Sequence, residues 1–569
     1  MTLTQPLRIL VVENDPQQRA DLIETLRAWP CEYFAAEPFF SAEDPSAGLL
    51  EDAKSKARRY RCHLALVDLR LKDDNDLHDT SGLALVAELA PTLSIILSGY
   101  LDRQIVKTAP DLDGPPQRPC DFVGKEDGPD ALWRAIQQAA RNRWCRREVE
   151  FLRPQELEPS MLIRRFVSRG ETAPPDQVDD VLRRLFPKAT RLKVEPLTEN
   201  QSSASLLLRQ RSWVFKVFEN EYLRPVIVKL ARSGRISNEL QRFSDVKPFF
   251  PAARYANLHG QPVELWDVGG TVYEFIGDHH DFPVATFSEY CQMHESQEIG
   301  EALANFRSFW RRLYQRQPVQ SRQTILRACN SVWGDEWCRR LLDSQQTSYW
   351  QECAQRLGQG ELPNPIAWLI RKVSLTAPGQ YNDGGLPYVD IAMIHGDLHS
   401  GNLFVDTRGD IWVIDYERTG YGPIVLDWTE LEVDILTQSP ELDLTEPASL
   451  HLLQVLLASP TVSIPEATPV EDATLGKLWA VLYWLRRQAD STLPTSDARP
   501  YLWGVLFNAL FRLTLLFADL DGWERGSERQ VLLRIALLAG LLCHRLDHVN
   551  GGWSLVGRQG PTKPKNAIG

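Results

Sequence analysis

The sequence predicts an α/β, doubly wound domain at the N-terminus, followed by an α+β region whose later part is mainly helical. Three observations carry this. In the first quarter, the short β-rich runs RILVVEN, HLALVDL, SIILSGY and CDFVGKE alternate with QRADLIETLRAW, SGLALVAELA and DALWRAIQQAARNR, whose apolar residues recur every three or four positions. Such alternation implies βαβ units and a parallel sheet. A second β-rich stretch runs from Arg191 to Leu230, and a helical pattern fills about 427–548.

The 569 residues correspond to three or four folding units at about 150 residues each. Hydrophobic residues are 43% and charged residues 24%, ordinary globular usage that excludes a mainly disordered or fibrous chain. The net charge is −12, with no long basic run and no helix-turn-helix with a basic recognition helix. No nucleic-acid partner is therefore expected. The nine cysteines are scattered without a C-x-x-C pair, which indicates neither a disulfide framework nor a zinc module. The opening MTLTQPLRILVVEND lacks a signal-peptide pattern. The apolar stretches near 501–518 and 530–543 are broken by Arg512 and Arg534 and read as buried helices, so no membrane partner is expected. A cytoplasmic protein with reduced thiols follows as the expectation.

Residues 145–188 turn charged and helical, broken by Gly170 and by Pro174–Pro175, and read as a helical connector with a flexible joint. A helix is expected over 235–243 and a strand in GGTVYEFIG (269–277). Residues 285–375 are helical in pattern and rich in Trp and Arg. MIHGDLHSGNLFVDTRGDIWVIDYE (393–417) reads as loop, strand, turn, strand, and the last residues, from 556, as a loose tail.

Ligands of a doubly wound sheet gather at the carboxyl ends of its strands. There the sequence places Glu13, Asn14 and Asp15, then Asp68, Ser98 and Lys125. An exposed carboxylate with acidic neighbours for Mg²⁺, a hydroxyl and an ammonium suits an aspartyl-phosphate site. ILVVENDPQQR, LALVDLRLKDD, IILSGY and DFVGKED, in this order, resemble a response-regulator receiver domain over residues 1–144. The resemblance implies Asp68 as phosphoacceptor, Ser98 as switch hydroxyl, Lys125 as phosphate-sensing cation, Mg²⁺ near Glu13, and a histidine kinase as partner. Asn14 stands where the family usually has a metal-binding aspartate, and Asp15 is the neighbouring carboxylate.

The second constellation is His395-Gly396-Asp397-Leu398-His399-Ser400-Gly401-Asn402, with Asp415 thirteen residues after Asn402. Phosphoryl transfer needs hard oxygen ligands for Mg²⁺ and a carboxylate that accepts or orients the attacking hydroxyl. An Asp and an Asn five apart on one loop can serve one pocket, completed by a second Asp after the next strand. The motif resembles the catalytic loop of the aminoglycoside phosphotransferase and choline kinase group, relatives of protein kinases. It implies an α+β, bilobal, protein-kinase-like fold with N-lobe 189–283, a helical C-lobe 284–555 and a helical insert 285–375. Asp397 is then the catalytic base, His395 a brace for the loop, Asn402 and Asp415 the Mg²⁺ ligands, and Asp427 a structural acid.

Upstream, RPVIVKLARSGRISNELQRF offers Lys229 on a strand and Glu239 on a following helix for the phosphates of ATP or another nucleoside triphosphate, with Lys216 in WVFKVF as the competing lysine. Thr198–Ser205 occupies the place of a Gly-rich phosphate loop without a Gly. Ser202 and Ser203 are its candidate contacts. Main-chain groups near Glu274–Ile276 are expected to face adenine. The phrasing of this lobe also resembles the ternary complex associated domain proteins. Trp310, Trp333, Trp337, Trp350 and Trp368 either shape an acceptor pocket or pack on the C-lobe. Glu430, Glu432 and Asp434 either line an acidic acceptor pocket or form a solvated helix face. Two functions are carried forward: a receiver-regulated phosphotransferase with a small-molecule or protein acceptor, and a kinase-like signalling scaffold without catalysis.

Overall fold

Strands β1 (Leu7–Val12), β2 (Cys31–Ala35), β3 (Leu64–Asp68), β4 (Leu93–Ser98) and β5 (Asp121–Gly124) pair in parallel in the order β2-β1-β3-β4-β5. The computed structural model describes residues 6–35, 45–73, 76, 78–99, 119–142, 144–145, 148–167, 171–196, 212–220, 225–249, 257–274, 285–315, 322–344, 362–443, 446–517 and 527–548. Every residue of β1 and β3 is buried, as continuous apolar runs covered on both faces should be. The period of two divides them between two cores. Ile9, Val11, Leu64 and Leu66 join one, and Leu10, Val12, Ala65 and Val67 the other. Helices α1 (Pro16–Arg27), α2 (Pro45–Tyr60), α3 (Ser81–Glu88) and α4 (Pro129–Asn142) accompany this sheet. Burial pushes the thiols of Cys31 and Cys62 up to about 11 and about 12, which leaves them poor nucleophiles at neutral pH.

A second sheet comprises β6 (Glu150–Leu152), β7 (Arg191–Pro196), β8 (Ser212–Glu219), β9 (Val226–Arg232), β10 (Val263–Glu264) and β11 (Val268–Tyr273), in the order β10-β11-β9-β8-β7-β6. The expected connector differs from its reading as a jointed tether. Its β6 is an edge strand of this sheet, parallel to β7. Its helices α5 (Pro159–Phe166) and α6 (Asp176–Leu185) bury Leu162, Ile163, Phe166, Val178, Val181 and Leu182 in the core that also holds β1, β3, α4 and the second sheet. Charged residues interleaved with these apolar ones made the segment read as a helical connector with a flexible joint. Gly170 lies outside the described residues. Met1–Leu197, Gln210–Ser237 and Asn257–Phe275 accordingly group as one compact unit, and Thr198–Arg209, Asn238–Ala256 and Ile276–Gly569 as another. Helix α7 (Arg235–Val246) follows β9.

In the second unit, β12 (Ala285–Thr286), β15 (Leu403–Val405) and β16 (Ile411–Val413) form one small sheet, and β13 (Arg322–Thr324), β14 (Tyr388–Ile394) and β17 (Gly420–Pro423) another. Helices α8 (Phe287–Met293), α9 (Ser296–Gln315), α10 (Ile325–Trp333), α11 (Asp335–Ser344) and α12 (Pro365–Lys372) precede the loop at 395–402. Helices α13 (Val425–Gln438), α14 (Pro447–Ala458), α15 (Ala473–Asp490), α16 (Ala498–Phe517) and α17 (Ser527–Asp547) follow it. The stretch 285–375 is not wholly helical. Its β12 and β13 pair with β15 and β14 on either side of the loop. Among the described residues no helix is long and apolar enough to cross a membrane.

Candidate functional site

The start of the loop between β14 and β15 is fixed by one carboxylate. Asp427, fully buried on α13, accepts the backbone N–H of His395 at 3.1 Å and of Gly396 at 2.9 Å, the Tyr314 hydroxyl at 2.8 Å and the Trp310 indole N–H at 3.2 Å. Gly396 is required here: its φ is +77°, and a Cβ would lie 2.7 Å from the Arg418 carbonyl oxygen. His395 is also fully buried. Its Nε2 donates to the Ile414 carbonyl at 3.0 Å, and burial lowers its pKa, so the ring is a neutral brace.

Ile414 is held at both polar atoms, because its N–H donates to the Asn402 carbonyl at 3.1 Å. The amide nitrogen of Asn402 donates to the Asp397 carbonyl at 2.8 Å, which fixes the orientation of the amide. Asp415, one residue beyond Ile414, has φ +65°, an uncommon conformation for a non-glycine residue. Asp397, Asn402 and Asp415 are thereby drawn onto one loop–strand junction. Arg418 Nη1 donates to Asp397 Oδ1 at 2.7 Å, and its guanidinium lies 5.0 Å from the Phe511 ring centroid. Phe511 stacks on Trp333 at 4.4 Å. Arg418 was visible in the sequence three residues after Asp415, but no spacing rule assigns a role to it.

Glu430, Glu432 and Asp434 of α13 form no solvated face, because all three are buried and lie beside Arg486 or Arg512 of distant helices. Glu432 pairs with Arg486 and accepts from Tyr501. Asp434 pairs with Arg512 at 2.7 Å and accepts the Ser400 N–H at 2.9 Å. Glu430 is buried, its Oε2 has no hydrogen-bond partner, and burial together with the nearby Asp397 holds its carboxyl well above the usual range. Between the ordinary glutamate value and that raised value, the unfolded chain is ionised while the folded protein keeps a proton. Stability therefore falls as pH rises through that window. Glu430→Gln, neutral and of the same shape, is expected to gain stability relative to wild type between pH 5 and pH 8 in parallel thermal melts. A difference that is constant across that range would refute the protonated assignment.

Among the described residues, the Trp side chains of 285–375 pack against other rings. Trp337 lies edge-on to Phe507 at 5.6 Å, and Trp368 against Trp503 at 5.6 Å, both on α16. Trp350 lies outside the described residues, as do Ser202, Ser203, the rest of Thr198–Ser205, and Phe275 and Ile276 of the expected adenine strand. Lys229 is buried on β9 and Glu239 is buried on α7. The ladder register sets Val214 opposite Lys229 and Lys216 opposite Ile227, so both lysines stand on one face of the sheet. Lys229 is the buried one; Lys216 is only partly covered.

At the first sheet, Asp68, Ser98 and the residues just past β1 and β5 meet at the strand carboxyl ends. Lys125 Nζ lies 2.7 Å from Asp68 Oδ1, 2.8 Å from Glu13 Oε2 and 2.6 Å from Gln18 Oε1. Burial and the Asp68 charge push the Glu13 carboxyl up. Asp15 caps α1, accepting the Gln18 N–H at 2.8 Å, and so has one oxygen committed.

Residues 340–513 match the family described as ternary complex associated domain 9. No curated protein matches the chain. Among solved structures, the chain is similar to the signal receiver domain of a modulated diguanylate cyclase from Desulfovibrio desulfuricans, with 22% identity over 24% of this chain and 94% of that one, TM-score 0.18. It is also similar to a thermostable mutant of the aminoglycoside phosphotransferase APH(4)-Ia, with 12% identity over 63% and 97% of the two chains, TM-score 0.34. Choline kinase LicA from Streptococcus pneumoniae shows 11% identity over 64% and 99%, TM-score 0.34. The likenesses are thus to a receiver domain, to an aminoglycoside phosphotransferase and to a choline kinase, and the family match is to ternary complex associated domain 9.

Proposed function

We propose that the protein is an ATP- and Mg²⁺-dependent phosphotransferase acting on an alcohol-group acceptor and regulated by its receiver-like domain. The observation that carries this reading is the junction of Asp397, Asn402 and Asp415, clipped together through both polar atoms of Ile414. Its donor set, a carboxylate and an amide oxygen, fits a hard cation. In this reading Asn402 and Asp415 hold Mg²⁺, which supplies neutralisation of phosphate charge. Asp397 takes the proton of the acceptor hydroxyl as the new O–P bond forms and the bridging O–P bond to the nucleoside diphosphate breaks. Arg418 fixes one Asp397 oxygen, leaving the other to the acceptor. Lys229, oriented by Glu239, holds the nucleotide phosphates. Asp68 accepts phosphate from a histidine kinase, with Ser98 and Lys125 as its readers and Glu13 and Asp15 beside the metal.

The scaffold reading is favoured by one observation, the engagement of Asp397 by Arg418. A turnover assay with Mg·ATP and a panel of alcohol acceptors, with mass spectrometry for autophosphorylation, separates the two. Adding acetyl phosphate tests the receiver. Calorimetry adds the metal assignment: Asp415→Ala is expected to bind Mg·ATP about tenfold or more weakly, a loss of about 1.4 kcal/mol or greater. Equal affinities would remove Asp415 from the metal site.

A further inference from the structure

Two polar clusters and an aromatic stack join the amino-terminal edge of the first sheet to α6 and to the turn between β10 and β11. In the first cluster, Arg8 of β1 donates to Asp176 at 2.8 and 3.3 Å, its Nε donates to the Arg61 carbonyl at 3.0 Å, and its backbone N–H donates to His63 Nδ1 at 3.0 Å. His63 Nε2 lies 3.4 Å from Asp180 Oδ2. The ligand-type atoms of His63, Asp176 and Asp180 come within 4.8 Å of one another, and the cation they face is the Arg8 guanidinium. In the second cluster, Arg61 is bidentate to Asp267 at 2.9 and 2.9 Å, and Gln177 donates to Asp267 at 2.8 Å. Trp144 and Trp266 stack at 5.4 Å with 10° between planes, and the Trp144 N–H donates to the His63 carbonyl at 2.7 Å.

Helix α6 uses its other face on the second sheet. At Gly270 of β11, a Cβ would lie 2.6 Å from Val181 Cγ1 and 3.0 Å from Leu185 Cδ1, while at Gly269 it would lie 3.1 Å from Ile236 Cγ1 at the start of α7. Neighbouring strand residues face opposite sides, so the two helices press on β11 from both faces. Beside Gly270, Thr271 is the register partner of Lys229 on β9.

We propose that α6 is a positioning helix: docked by Arg8 of the receiver-like domain through Asp176, and tied through Gln177 and Asp267 to Arg61, it sets the packing of the β9–β11 pair that carries Lys229. The domain then acts as a built-in part of the lobe and not as a tethered module. The proposal deepens the phosphotransferase reading, on which it rests only for what Lys229 does. It also gives regulation a route. β1 begins at Leu7, beside Arg8, and ends at the residue before Glu13, and β3 runs from just after His63 to Asp68, so two strands of about 17 Å span from the Asp68 pocket to the seam.

Hydrogen–deuterium exchange of the full chain tests this, read in peptides covering 226–232 and 268–273. Arg61→Ala is expected to speed exchange there about tenfold or more, while Arg27→Ala, on an exposed side chain (59%), leaves it unchanged. The isosteric Asp267→Asn, which weakens the same pair, carries the decision if Arg61→Ala does not fold by circular dichroism. Exchange in both strands equal to wild type in a folded variant overturns the proposal. Faster exchange in a protein whose wild type fails to bind Mg·ATP upholds the positioning and overturns the nucleotide reading alone.

Discussion

Asp397→Ala is expected to lower phosphoryl transfer by about 10²–10⁴-fold, the usual contribution of a positioned general base, while Mg·ATP affinity stays near wild type. The separation follows from position. Asp397 touches the loop through its carbonyl, which accepts from Asn402, and its carboxylate meets Arg418. Alanine keeps the carbonyl and removes the carboxylate, the group that pairs with Arg418 and that the proposed mechanism sets against the acceptor. The loop itself survives, because its backbone is held by Asp427 and Ile414 and not by the Asp397 side chain. Single-turnover kinetics beside calorimetry checks both halves. A variant that turns over like wild type removes Asp397 from the chemistry. A variant that loses nucleotide affinity in proportion to rate places it in the nucleotide site instead.

The elements that could be read from sequence were those whose signal is local. Strands β1, β3 and β4 are mainly apolar runs buried almost throughout, whereas β5, Asp121–Gly124, is short and buried only at Val123 and Gly124. Strand β2 was missed because it is a half-exposed edge, and β6 because three residues carry no pattern. Strand β17, Gly420–Pro423, has no strand-forming composition; its conformation comes from pairing with β14. In the candidate site, Asp397, Asn402 and Asp415 were legible as candidates because they lie close together along one loop and just past the next strand. What holds them was not, since Trp310 and Tyr314 reach Asp427 from 117 and 113 residues away. The seam is further still: Arg8 and Asp176 are 168 apart, and Arg61 and Asp267 are 206 apart. Glu432 on a helix reads as solvated until an arginine 54 residues on is known to meet it.

That arginine carries the largest stability effect expected in the second unit. Arg486 and Glu432 are both fully buried, joined at 2.9 and 2.7 Å, with Arg486 also donating to the Leu456 carbonyl at 2.9 Å and Tyr501 to Glu432 at 2.7 Å. Arg486→Leu is expected to cost about 3–5 kcal/mol, because it strands the Glu432 charge in the interior with one hydroxyl for company and orphans a carbonyl. The cost belongs to the unpaired ion more than to the lost attraction. Replacing both residues, Arg486→Leu with Glu432→Leu, removes the charge to be desolvated and should recover much of the loss, since well-packed apolar pairs often match buried ion pairs. Denaturation of wild type, both singles and the double gives the coupling directly. A double variant no more stable than Arg486→Leu would show that the site depends on shape and the Leu456 carbonyl contact, and that the stranded charge is not the source of the penalty.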